Sequence, residues 1–146
     1  MIAVDTNILV HAHRADSPWH EAATRALGAL GVARWAVPWP CVHEFYAVVT
    51  HPKIFDPPTP IADALLAVES WCASSLQLLG ETSEHWPVLA DLLRQGQIVG
   101  PMVHDARVAA ICLQHGIEEL WTVDRDFSRF PALRARNPLL QESQRS

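Results

Sequence analysis

The chain begins MIAVDTNILVHA, residues 1–12, and the reading of this stretch decides the fold. Ile2, Ala3 and Val4 are apolar, Asp5 is a lone acid, and Ile8, Leu9 and Val10 are apolar again. A short apolar run without alternation reads as a strand buried on both faces. An ionised carboxylate in such a segment is costly to desolvate unless something satisfies it. Either Asp5 caps the helix that follows, with Asn7 in a turn, or it works on a ligand where the strand ends.

Working outward, three more runs read as doubly buried strands: Arg34–Val37, Leu76–Leu79 and Leu120–Val123. A fifth strand is expected around Leu139-Leu140. Helical patterns lie between them. Ser17-Pro18 gives an N-cap with proline at the first helical position, followed by Trp19, Ala22, Ala23, Ala26, Leu27 and Leu30 at helical spacing. Pro40 opens a helix to about Thr50, and Thr59-Pro60 repeats the cap signal before the stripe Ile61, Leu65, Val68, Cys72. A further helix runs from about Ser83 to a C-cap near Gly96, and another from about His104 to His115, stopped by Gly116. Strands alternating with helices predict an α/β fold of three layers, with helices on both faces of a central parallel sheet of four to five strands. Such sheets bind ligands beyond the carboxyl ends of their strands.

At 146 residues the chain has the size of one domain, read as residues 1–140 with a flexible tail at 141–146. Its 49% hydrophobic and 18% charged residues exclude a disordered chain. No apolar run reaches the roughly 20 residues of a membrane span, and the N-terminus lacks a basic region before its apolar segment, so a cytoplasmic protein is expected. Cys41, Cys72 and Cys112, odd in number and widely spaced, read as reduced, small buried hydrophobes. The net charge of −5 argues against an ordinary nucleic-acid binder, unless part of the negative charge is a metal site.

The acids fall in a pattern. Asp5 and Asp124 end the first and fourth strands, and Asp126 follows in TVDRDF. Glu44 shares a helix face with Ala47 and Val48, and Asp105 with Val108, Ala109 and Cys112, so both are expected to point inward. A helix dipole offers only about 0.3–1 kcal/mol there. With 11 Lys and Arg in the chain and only Arg107 and Arg125 near these acids, a hard divalent cation, Mg²⁺ or Mn²⁺, accounts for the set better than ion pairs. Read singly, each acid also has a structural role: a helix cap, a first-turn acid, or a loop acid paired with Arg125 or Arg129.

Taken in order, Val4-Asp5-Thr6-Asn7, His43-Glu44-Phe45, His104-Asp105-Ala106-Arg107-Val108-Ala109-Ala110 and Thr122-Val123-Asp124-Arg125-Asp126-Phe127 resemble the PIN-domain ribonucleases, and among them the VapC toxins of bacterial type II toxin–antitoxin modules. VTHPKIF at 49–55 and SRFP at 128–131 are also like segments of such toxins. The resemblance spans Ile2 to about Leu140. It implies a PIN-like fold, a catalytic and metal-binding set of Asp5, Glu44, Asp105 and Asp124 with Asp126 as a further ligand, and Asn7 and Thr122 as polar supports. It implies Mg²⁺ or Mn²⁺, endonucleolytic cleavage of RNA, and a cognate antitoxin that restrains the toxin. Gly100-Pro101-Met102 departs from the more polar segment that such toxins often carry there.

Water as the nucleophile would leave a 5′-phosphate and a 3′-hydroxyl, and a 2′-hydroxyl attack a cyclic phosphate. Arg14, Lys53, Arg94, Arg107, Arg125 and Arg129 are candidates for holding the RNA backbone. Trp39, between two prolines, is the candidate rim aromatic, whereas Trp35, Trp71 and Trp121 belong to the core pattern. The apolar content leaves room for a homodimer. Two rival readings stand: a phosphatase with Asp5 as nucleophile, disfavoured because Asn7 occupies the position of its usual second aspartate, and a catalytically silent module that binds RNA or protein.

Overall fold

The computed structural model describes residues 1–31 and 33–140, so the tail expected to be flexible lies outside the described residues. Five strands form one parallel sheet: β1 (Ile2–Val4), β2 (Trp35–Pro38), β3 (Gln77–Leu79), β4 (Glu119–Trp121) and β5 (Arg134–Arg136), in the order β3-β2-β1-β4-β5. The helices are α1 (Thr6–His13), α2 (His20–Leu30), α3 (Trp39–Val49), α4 (Ile61–Cys72), α5 (His85–Gly96) and α6 (Val103–Gln114). The chain winds from β1 outward to β3, then returns to place β4 on the other side of β1. The strand order therefore reverses between β1 and β4, and a crevice forms there beyond their carboxyl ends.

The central strands are short and apolar because both their faces are covered. Ala3, Val4, Ala36, Val37 and Leu120 are fully buried, and Ile8, Leu9, Phe45, Val49, Ile111 and Phe127 pack into the same core. Asp5 follows β1 directly and caps α1, its Oδ1 accepting the Thr6 N–H at 2.8 Å. Gly116, at φ 69°, lets the chain reverse out of α6 into Ile117 and β4.

Several boundaries differ from the sequence reading for physical reasons. β5 lies at Arg134–Arg136, not at Leu139-Leu140. It is an edge strand with exposed residues and so carries no apolar run, while Leu139 is a buried anchor beyond it. Ser17-Pro18 does not start α2. The Ser17 hydroxyl accepts the Trp19 N–H at 3.1 Å and lies 2.7 Å from His11 Nδ1, building the turn between α1 and α2. Thr59 likewise does not cap α4, since its buried hydroxyl accepts from Arg14 Nη1 and meets His13 Nε2, both at 3.2 Å. The stripe expected on α4 is rotated: Ile61, Leu65 and Cys72 are exposed, because small Ala64 faces inward and Trp71 packs on Phe45 with ring centroids 4.7 Å apart. Gly96 is the last residue of α5 and the reversal falls on Gln97 at φ 50°. Gly96 instead packs closely: a Cβ there would stand 2.9 Å from Ile98 Cδ1 and 3.4 Å from the Arg129 carbonyl oxygen, so the Ile98 side chain would have to shift.

Candidate active site

A cleft of about 780 Å³ opens at the β1–β4 crevice, lined by residues that include Asp5, Asn7, Glu44, Asp105 and Asp124. Four separate elements deliver these side chains, which explains why they lie so far apart in sequence. The carboxylates of Asp105, Asp124 and Asp126 converge most closely, each offering an oxygen within 4.8 Å of the others. None of the ion pairs among the described residues involves a site acid: Arg107 pairs with Glu81, Arg14 with Asp16, Arg94 with Asp91. The uncompensated charge shows in Asp105, whose carboxyl is pushed up to about 6 by burial first, then by the charges of Asp124, Asp5, Asp126 and Glu44.

Asp5 differs in kind. It is buried, and four donors engage its two oxygens. Oδ1 accepts the Thr6 N–H at 2.8 Å and the Cys41 thiol at 3.3 Å. Oδ2 accepts the Thr122 hydroxyl at 2.8 Å and the Asn7 amide at 3.4 Å. Burial raises its pKa while the bonds from Thr122, Thr6 and Cys41 oppose that rise. A carboxylate tied this way is the opposite of an exposed attacking nucleophile, which counts against a phosphatase. Thr122 is the hub, since its oxygen also accepts from Asn7 Nδ2 at 3.3 Å and from the Asp124 N–H at 3.0 Å. Asn7 Oδ1 accepts the Val123 N–H at 3.2 Å, tying α1 to the segment after β4. Asp124 then accepts the Asp126 N–H at 2.8 Å, which caps the short 3₁₀ helix Arg125–Arg129. Asp5 and Asp124 thus serve as caps and as site acids at once.

Glu44 does not point inward as its spacing suggested. It is exposed at the mouth of the cleft, its Oε2 accepting the Thr6 hydroxyl at 3.2 Å. The i+3 and i+4 spacing located its face correctly, but that face lines an open cleft and not the core. Cys72 is exposed, whereas Cys41 and Cys112 are buried. Cys41 is more than a small buried hydrophobe, since its thiol donates to Asp5; its position three residues before Glu44 is the only signal of this in the sequence.

Residues 2–133 match the PIN domain. The chain belongs to the PIN-domain family. Ribonuclease VapC48 of Mycobacterium tuberculosis is 32% identical over 139 residues, covering 92% of this chain and 94% of the relative. Ribonuclease VapC43 of the same organism is 34% identical over 142 residues, covering 95% and 96%. A solved structure described as a toxin–antitoxin complex from Klebsiella pneumoniae superposes with a TM-score of 0.66 at 17% identity, covering 94% of this chain and 98% of that one. That likeness concerns the fold. The three-layer PIN architecture expected from the sequence is the one found.

Proposed function

We propose that this PIN-domain chain is an endoribonuclease, the toxin of a toxin–antitoxin pair, and that its acidic cluster holds Mg²⁺ or Mn²⁺. The observation that carries this reading is the convergence of Asp105, Asp124 and Asp126 within 4.8 Å, with no ion pair to them among the described residues, beside an open cleft lined by Asp105 and Asp124. Relatives named ribonucleases support the activity, and the fold shared with a toxin–antitoxin complex supports a restraining antitoxin.

The donor set fits a hard cation, because every candidate ligand is a carboxylate oxygen. Asp105, Asp124 and Asp126 would hold the ion, with Asp5 behind them and Glu44 at the mouth. When bound, such an ion offers Lewis acidity toward a phosphodiester and lowers the pKa of water. The chain's own residues supply positioning: Thr122 and Asn7 fix Asp5 relative to Asp124, and Thr6 holds both Asp5 and Glu44. Water attacking phosphorus, with the P–O3′ bond breaking and the 3′-oxygen leaving with a proton, gives a 5′-phosphate and a 3′-hydroxyl. Residues 1–140 are read as a single domain, working as a homodimer in the cytoplasm. The apolar Ile61, Leu65 and Leu66 exposed on α4 support a dimer, and no helix among the described residues is long and apolar enough to cross a membrane.

The test is cleavage of total cellular RNA by wild type and Asp105→Asn, each with Mn²⁺ and with chelator, followed by end-group analysis. Discrete fragments only from wild type with metal are expected. Fragments that persist in the variant or in chelator sink the carboxylate mechanism, and no cleavage under any condition moves the weight to a silent binding module.

A further inference from the structure

The wall of the cleft toward β3 is built from other chemistry than the acidic side. α3 leaves β2 at Trp39, and its first turns place Trp39 and His43 on one face, four residues apart. Their rings lie 6.0 Å apart, tilted by 31°. His43 is exposed and lines the cleft, and Trp39, just outside it, keeps 36% of its surface exposed. Just past β3, a Cβ on Gly80 would lie 3.9 Å from the Trp39 ring. The next residue, Glu81, accepts a 2.6 Å bond from Nε of Arg107, which also lines the cleft. That bond fixes the guanidinium and leaves its two terminal amino groups for another acceptor.

We propose that this wall seats an unpaired base of single-stranded RNA, stacked on the Trp39–His43 ring pair, with Arg107 taking a phosphate oxygen of the same strand. The ligand rests on the ribonuclease reading above; the seat rests on its own geometry. A chain of net charge −5 with an acidic cleft repels a polyanion, so attachment needs contacts that do not depend on overall charge. Stacking is such a contact, and it tolerates any base because every base has a π-face. Trp35, Trp71 and Trp121 are packed against the core, while Trp39 stays exposed next to His43, which lines the cleft. A duplex hides its base faces, so the seat selects unpaired strands.

The test measures binding of a fluorescein-labelled, short single-stranded RNA of random sequence by anisotropy, in Mg²⁺. The full chain carries Asp105→Asn so that cleavage does not intervene. Added Trp39→Leu is expected to weaken binding about tenfold, the scale of one stacked base, and Trp39→Phe to restore most of it. Arg107→Gln is expected to weaken binding and flatten its salt dependence. A blunt duplex of the same length should not distinguish Trp39 from Leu. Binding unchanged in Trp39→Leu, equal loss in the Leu and Phe variants, or no binding by the parent overturns the seat. The two readings separate cleanly with protein that retains Asp105. RNA left uncut while binding depends on the ring breaks the ribonuclease reading alone. Metal-dependent cleavage with ring-independent binding breaks the seat alone.

Discussion

Asp5 and Asp105 face one cleft, yet they store charge in opposite ways. Asp5 sits at the floor, buried, with donors from Thr6, Cys41, Thr122 and Asn7 on its oxygens. Asp105 sits in the outer cluster with Asp124 and Asp126, half-buried, with like charges around it and its carboxyl pushed up to about 6. The floor acid is held by protein donors, whereas no ion pair among the described residues reaches the outer cluster. The contrast separates two environments that a shared negative charge would merge: one acid is held by protein donors and the others face one another.

The largest effect should come from Asp105→Asn, which we expect to lower RNA cleavage by roughly a hundredfold or more, measured as single-turnover fragment yield with Mn²⁺. The same substitution should raise thermal stability in chelator, because it removes a charge that its neighbours oppose. Asp5→Asn should also stop cleavage but lower stability, since an amide cannot accept from all the donors aimed at it. If both variants moved the melting temperature in the same direction, the division between floor and outer cluster would collapse. Next in size, Mn²⁺ at about 100 times its Kd should stabilise wild type by about 2.7 kcal/mol. Calorimetry should show that gain lost in Asp124→Asn.

Much of this was legible in the sequence because burial leaves a pattern. Ile2–Val4 and the Asp5 that ends it were readable as strand and strand-end acid, since a doubly buried strand has no room for polar residues. Asp105 was readable from its phase on α6. The edge strand Arg134–Arg136 was not, because an exposed strand has no apolar signature. Nor was the exposure of Glu44: helical phase names a face but cannot say whether that face meets core or cleft. The Cys41 bond to Asp5 was hidden for a different reason, since a thiol reads as a small hydrophobe unless its neighbour is known. That the acids gather at one sheet edge was legible from the strand ends and helix starts; that Asp105, Asp124 and Asp126 come closest was not, because spacing does not give distances between elements.

The hub on the floor can be tested without touching any acid. Thr122→Val keeps the shape but takes one donor from Asp5 Oδ2 and the acceptor from the Asp124 N–H and Asn7. We expect a loss of about 1–3 kcal/mol by urea denaturation, with Thr122→Ser recovering most of it. Recovery by Ser would show that the hydroxyl matters. Equal losses in Val and Ser would instead assign the cost to packing against β4, and the floor would be ordinary core.

The smallest effect is the dependence of stability on pH, and it carries a definite sign. Asp105 has a folded pKa of about 6 against an ordinary 3.8. Across that window the folded state holds a proton that the unfolded chain has released, so stability falls as pH rises from about 4 to 6 and the deficit persists at neutral pH. Asp105 is half-exposed, so solvent screening reduces the deficit to about 1 kcal/mol. Asp5 is raised as well and contributes in the same direction, so wild type alone cannot isolate Asp105. The difference between wild type and Asp105→Asn does, measured by urea unfolding in chelator at each pH. It should be near zero at the acid end of the window and grow until wild type is the less stable of the two at neutral pH. A difference that stayed flat would mean that ionised Asp105 carries no penalty from its neighbours, and the outer cluster would lose its claim to a cation. Adding Mn²⁺ at neutral pH should reverse the order of the two proteins, because the charge that destabilises the empty cluster is the charge that binds the ion.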